Sequence, residues 1–212
     1  DTFLGLDCQV YIPPNSITIY DNDVSVTGDE ANDNKWCGID LKEHTYINVI
    51  CDENKGMGTN FLDACISSGI LTSEIENLEI VDGPLTQDEM KVINDIFVNL
   101  KQLKIDNSVS IENDMIPMNF IKNHEKIESV YIYSSLRSIE ESAFEGCSRL
   151  SSFTCKNARE LKSRCFFGPT SLEILTFELV DTLTGSNFFS NNPILRTIEL
   201  PKLSIASVNG FI

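Results

Sequence analysis

The stretch Leu136-Arg-Ser-Ile139-Glu-Glu-Ser-Ala143-Phe144-Glu-Gly146-Cys147-Ser-Arg-Leu150 decides the fold of this chain, because the unit it spells returns. Leu161, Cys165-Phe166, Gly168 and Leu172 occupy the same places one copy later. Leu183, Asn187-Phe188 and Leu195 follow, with one residue inserted near Asn191-Asn192-Pro193. Self-similarity of this kind outranks any local secondary-structure signal.

Outward from that unit, a shorter template of the form apolar-x-x-apolar-x-apolar runs from Tyr46 to Leu200. Its copies are Tyr46/Val49/Cys51, Ile75/Leu78/Ile80, Leu100/Leu103/Ile105, Ile127/Val130/Ile132, Leu150/Phe153/Cys155, Leu172/Leu175/Phe177 and Leu195/Ile198/Leu200. Their starts lie 29, 25, 27, 23, 22 and 23 residues apart, within the range of leucine-rich repeats. The last two template positions alternate with polar residues, so each copy predicts a short strand. Stacked in parallel, such strands bury one apolar seam that none could bury alone. The first three intervals are longer and predict helices near Thr59–Ser68, Gln87–Asn99 and Met118–Glu125. Thr86 with Glu89 forms a capping box for the second.

The stretch Leu136–Leu150 resembles the signature of BspA-like leucine-rich repeats, a family of surface and secreted proteins of bacteria and protists. The next two copies match it more loosely, and the array before residue 130 resembles leucine-rich repeats only in general. The resemblance implies an α/β solenoid, a right-handed superhelix with short parallel strands on its concave face. It also implies adhesion or protein binding; together with the residues below, which offer no catalytic constellation and no cofactor motif, the expected function is non-catalytic binding of a protein or glycan through the concave face.

Residues 1–44 do not fit the template and predict an N-terminal cap, with residues 45–212 as the repeats. Ser16–Tyr20 and Val24–Val26 alternate around the turn signal Asp21-Asn22-Asp23, which reads as a hairpin. Trp36 suits packing over the first repeat. The start at Asp1 without Met predicts a removed leader or a piece of a longer chain. Gly210-Phe211 falls where Ala143-Phe144 stands, so the chain is expected to stop within a repeat.

Lysine and arginine number 16 against 32 acidic residues, a net charge of −16. That charge argues against nucleic acid and anionic membrane surfaces as partners. No apolar run reaches the ~20 residues of a spanning helix. Surface or secreted localisation is expected from the resemblance, and an intracellular scaffold with reduced cysteines is the alternative.

Seven cysteines cannot all pair internally. Cys8 and Cys37 flank the hairpin and are a disulfide candidate, with a free pair or a bond to Cys65 as alternatives. Cys51, Cys147, Cys155 and Cys165 fall at packing positions and read as small buried hydrophobes. His124 reads as a solvated histidine on the outer segment, and His44 is the only other one. Asp21, Asp23, Asp29, Glu30 and Asp33 fail the spacing of a calcium loop. No metal site, phosphate loop or nucleophile elbow emerges.

What remains is a surface. The strand residues that flank the inward positions line the expected concave face, with Tyr131 and Tyr133 near its middle and Lys104 and Lys156 on either side. Lys104, Tyr131 and Thr154 are expected in one row, and Asp106, Tyr133 and Lys156 in the next. These residues are the ligand-binding candidates, since exposed aromatics ringed by polar groups make binding hot spots. The alternative is that both tyrosines are ordinary strand formers.

Overall fold

The computed structural model describes residues 17–20, 23–26, 35–36, 39–40, 46–52, 54–56, 58–168 and 170–206. Strand β1 (Ile17–Tyr20) pairs antiparallel with β2 (Asp23–Val26), as the alternation predicts. A second short hairpin joins β3 (Lys35–Trp36) and β4 (Ile39–Asp40). Cys8, Cys37, His44, Gly210, Phe211, most of the acidic run and the side chain of Trp36 lie outside the described residues, so the disulfide and the packing of Trp36 are not seen here.

Strand β5 (Tyr46–Ile50) leads through helix α1 (Thr59–Ser68) to β6 (Asn77–Leu85). Helix α2 (Gln87–Ile96) then leads to β7 (Gln102–Ile105). Its first turn is capped by the Thr86 hydroxyl, which accepts from the Glu89 N–H at 3.2 Å. Met90, Ile93 and Phe97 sit on its inner face and are fully buried. Beyond β7 the described residues contain no further α-helix. Strands follow one another instead: after β7 come β8 (Val109–Ile111), which pairs with the end of β6, and β9 (Met115–Ile116), and the next coil has β10 (Ser129–Ile132) and β11 (Ser138–Ile139). The same alternation gives β12 (Ser152–Cys155) and β13 (Glu160–Lys162), β14 (Ile174–Thr176) and β15 (Thr182–Thr184), and β16 (Thr197–Glu199) and β17 (Ile205–Ala206).

The strands stack as the sides of a β-solenoid. One side runs β5-β6-β7-β10-β12, all parallel. Leu78, Leu103, Val130 and Phe153 share one register row, and Ile80, Ile105, Ile132 and Cys155 share the next. The second side is another parallel sheet, β9-β11-β13-β15-β17, whose inward row is Ile116, Ile139, Leu161 and Leu183, with the exposed Ala206 in register at its end. The back of the later coils is therefore strand, not helix.

The third side replaces the helix expected over Met118–Glu125. Asn119 and Asn123 stand at φ 58° and 59°, in the left-handed region. The N–H groups of Asn119, Ile121 and Asn123 donate to Glu141, Ala143 and Glu145 of the next coil at 3.1, 3.0 and 2.7 Å, not to carbonyls four residues back. The pattern repeats: Ser142, Phe144 and Gly146 donate to Ser163, Cys165 and Phe167, and Arg164, Phe166 and Gly168 to Ser186, Phe188 and Ser190. Phe120 and Ile121 within that stretch are buried, but from turns stacked on the next coil and not from one face of a helix.

That ladder corrects the last copy. Phe166 donates to the carbonyl of Phe188, so Phe188-Phe189 occupy the places of Ala143-Phe144 and Cys165-Phe166. The rings of Phe144, Phe166 and Phe189 stack in order, 5.2 and 6.2 Å between centroids. The inserted residue lies upstream, at Gly185, not near Asn191. Gly185 adopts φ 118°, and a β-carbon there would collide with the Ser163 hydroxyl. The first copy shifts as well. Ile47 pairs with Leu78 and Val49 with Ile80, two residues from the Val49/Cys51 frame. A slip of two keeps every side chain on its own face, so alternation alone cannot choose between the frames.

Leu103, Val130 and Ile132 are fully buried, as expected of the seam. Phe153 is only partly buried, at the place where β12 ends the first sheet and β14 pairs with β16 instead. Its ring still meets those of Phe144 and Phe166 at 4.9 and 4.8 Å.

Candidate binding surface

The outward residues of β7, β10 and β12 form the first of the two rows that the repeat spacing predicts. Lys104, Tyr131 and Thr154 are direct register partners. Tyr133 follows β10, where its N–H donates to the Ile105 carbonyl at 2.9 Å, and it is 38% exposed. Tyr131 is half-buried, and its hydroxyl accepts from the Ser152 hydroxyl at 3.3 Å. Both tyrosines project from the sheet, in the line of polar neighbours a docking aromatic needs.

The two lysines are already engaged. The Lys104 ammonium is paired with the Glu79 carboxylate and with Asp106 at 3.0 Å. Burial pulls its pKa down, but the hydrogen bonds to those two carboxylates outweigh this and hold it above the ordinary value. Lys104 therefore braces the sheet between β6 and β7. Lys156 pairs with Glu178 at 3.2 Å, with both side chains more than half exposed. Such a pair contributes little and yields easily to a competing charge.

His124 is not on the surface. It is 4% exposed. Its Nε2 lies 3.0 Å from the Phe97 carbonyl, and its Nδ1 accepts from the N–H groups of Ile127 and Lys126 at 3.1 and 3.3 Å. That arrangement assigns the proton to Nε2, and burial lowers the ring's pKa. Cys147 and Asn192 stand at the equivalent place in later coils. The Cys147 thiol donates to Ile121 O at 3.0 Å, and the Asn192 amide to Phe166 O at 2.7 Å. Each of these side chains caps a carbonyl of the coil before it. The position was missed because imidazole, thiol and amide share no sequence class, only a donor at one reach.

Cys51, Cys147, Cys155 and Cys165 are free and buried, and Cys65 is buried as well. Burial pushes the Cys147 thiol up to about 12 and that of Cys155 up to about 11, and it raises Cys165 as well. A thiol so held is neither a nucleophile nor a metal ligand. Among the described residues no three His, Cys, Asp or Glu side chains are placed to hold a metal, and no helix is long and apolar enough to cross a membrane.

Beside Tyr133 the surface is grooved. A cleft of about 410 Å³ is lined by Asp114, Leu136, Arg137, Asn157, Arg159 and neighbouring residues. The arginines escaped the sequence reading because the template was framed on the first strand of each coil. Framed on the second, they fall at one position, just before β11 and β13.

The repeat geometry agrees with a comparison against protein families. Residues 114–211 match the BspA type leucine rich repeat region, in six copies. Residues 114–211 are a BspA-type leucine-rich repeat region. The match begins where the second sheet begins and excludes the helical coils of α1 and α2. No curated protein matches the chain. BspA-type repeats are typically non-catalytic and belong to repeat-built protein interaction.

Proposed function

We propose that the chain is a non-catalytic recognition module that binds a partner protein on the outward face of the first sheet, around Tyr131 and Tyr133. The supporting observation is the pair of outward tyrosines on one parallel-strand face, flanked in register by Lys104 and Thr154. Tyrosine supplies contact area with few rotatable bonds, so its ordering on binding costs little. Lys156, held only by an exposed pair, can exchange Glu178 for an acid of the partner.

The test is the Tyr131→Ala/Tyr133→Ala double variant, measured against a partner retrieved with the intact protein. Affinity is expected to fall by about 2 kcal/mol or more, with little change in stability. Unchanged affinity moves the site to another side of the solenoid. Affinity that disappears on deglycosylating the partner makes a glycan the ligand.

The finer reading is adhesion or recognition at a cell surface or in a secreted protein. The rival is an intracellular scaffold, and it draws on Cys51, Cys147, Cys155 and Cys165 being free thiols. Mass spectrometry before and after alkylation separates the two. A Cys8–Cys37 disulfide supports export, and seven alkylated cysteines support the rival.

A further inference from the structure

The cleft beside Tyr133 is built by a change in coil length. Six residues separate Ile132 from Ile139, but only five separate Cys155 from Leu161 and Phe177 from Leu183. The longer loop is braced on both sides. The Ser134 hydroxyl donates to Asp106 O at 2.7 Å, and the Asn157 amide donates to Tyr133 O at 2.9 Å. Its walls therefore exist before any ligand arrives.

Arg137 and Arg159 lie one above the other on this wall, joined by the bond from Arg159 N–H to Arg137 O at 3.2 Å. Both side chains are exposed, and among the described residues neither is within ion-pair distance of a carboxylate, although Arg137 acts on Glu160 through space. Of the other cations, Lys104, Lys122, Lys156, Lys162 and Arg164 are paired, while Lys126, Arg149, Arg196 and Lys202 are in no ion pair among the described residues. What sets Arg137 and Arg159 apart is that both line one cleft. Equivalent residues of adjacent parallel strands sit ~4.8 Å apart, so two guanidinium forks can converge on one carboxylate.

The row continues into Asp114 below and Asp181 above, and the Asp181 carboxylate is held by the Thr182 hydroxyl at 2.7 Å. These aspartates and the net charge of −16 repel a second anionic group close to the first. The same repulsion weighs more heavily on a polyanion than on a lone carboxylate, whose single charge the two arginines can offset. Leu179 on the lining offers apolar surface beside it, and so does the exposed Tyr133, whose carbonyl accepts from the lining residue Asn157.

We propose that Arg137 and Arg159 bind a single glutamate or aspartate of the partner polypeptide, flanked by an apolar residue that packs against Leu179 and Tyr133. This rests on the reading of the chain as a protein-binding module and names the chemistry of its partner segment.

The probe is the capped tetrapeptide acetyl-Gly-Leu-Glu-Gly-amide, titrated into the protein while the arginine Nε–Hε NMR signals are followed. The Arg137 and Arg159 signals are expected to shift and saturate. The glutamine isostere is expected to bind about tenfold more weakly or worse. The Arg137→Gln/Arg159→Gln variant should lose the response at an unchanged Tm, since both side chains are exposed. Equal binding of the glutamine peptide overturns the proposal, as does the absence of any shift up to roughly 20 mM. Sulfate or glucuronate binding as tightly as the peptide also overturns it, in favour of an unselective anion site or an acidic sugar. Failure here is separable from failure of the tyrosine face: Tyr131→Ala lies outside the cleft and tests only that face.

Discussion

At the scale of single residues, His124 and Glu145 each give stability a pH dependence of known sign. His124 is held neutral by two N–H groups on Nδ1 and a carbonyl at Nε2, and burial lowers its pKa. The unfolded chain takes up the proton near pH 6.5 and the folded one only below that. Its contribution to stability is thus complete above about pH 6.5 and is lost as pH falls through that value. Urea midpoints measured from pH 7.5 to 5.5 should decline, and His124→Gln should flatten the decline.

Glu145 acts in a lower window. Hydrogen bonds from Arg164 at 2.8 and 3.0 Å, together with Ser142 and Lys122, hold its carboxyl down to about 2, against a smaller opposing effect of burial. Its stabilisation is present above the ordinary carboxylate value and is lost as pH falls toward 2. Glu145→Gln should lower stability at pH 7 and leave less difference from the parent at pH 3. Neither role was legible in the sequence, because each depends on a partner one coil away.

At the scale of elements, the strands of the first side were legible and the turns of the third were not. Alternation such as Val130-x-Ile132 reports a strand directly, while Asn119, Ser142, Arg164 and Asn187 have nothing in common but a left-handed φ. Such a backbone costs of order 1–3 kcal/mol at a residue other than glycine, and the stacked hydrogen bonds compensate for it. Gly146 shares this conformation, at φ 73°, and a β-carbon there would run into the Asn123 side chain. Gly69, at φ 69° after α1, has open space around it. Gly146→Ala should therefore destabilise well beyond Gly69→Ala, for which about 1 kcal/mol is expected. Paired denaturation curves check this, and equal losses would mean that the coil at Asn123 gives way freely.

At the scale of the molecule, the stacking was legible from spacing alone, and the details that failed were frames. The first copy slipped by two residues, and the last placed its insertion downstream of Gly185. Both errors preserve the apolar pattern, and only pairing between coils separates them. Of the proposed site, the row Lys104–Tyr131–Thr154 was readable, because parallel register follows from equal spacing. The engagement of Lys104 by Glu79 was not, because charges on different coils carry no mutual signature in the chain. The cysteines report on the stack as a whole. Cys147, Cys155 and Cys165 come from successive positions along it and are all buried. A thiol-reactive chromophore should leave them unmodified in the native state and reach them together on unfolding. Early labelling of Cys165 alone would show that the C-terminal coils open first.

The turns of the third side also have an electrical consequence. Each bonded peptide there points its N–H toward the following coil and its carbonyl toward the preceding one. Three columns of such units, rising from Asn119, Ile121 and Asn123, carry peptide dipoles of ~3.5 D that add instead of alternating as they do in a sheet. An α-helix is the same object, a few hydrogen-bonded columns of aligned peptides, but its positive pole lies at the start of the chain. Here the polarity is reversed: the positive pole faces the coil of Ser186–Asn191, and the negative pole faces the coil where Lys122 and Lys126 stand. The solenoid thus carries the field of a helix assembled from residues of four separate coils, with cations gathered where that field is most negative.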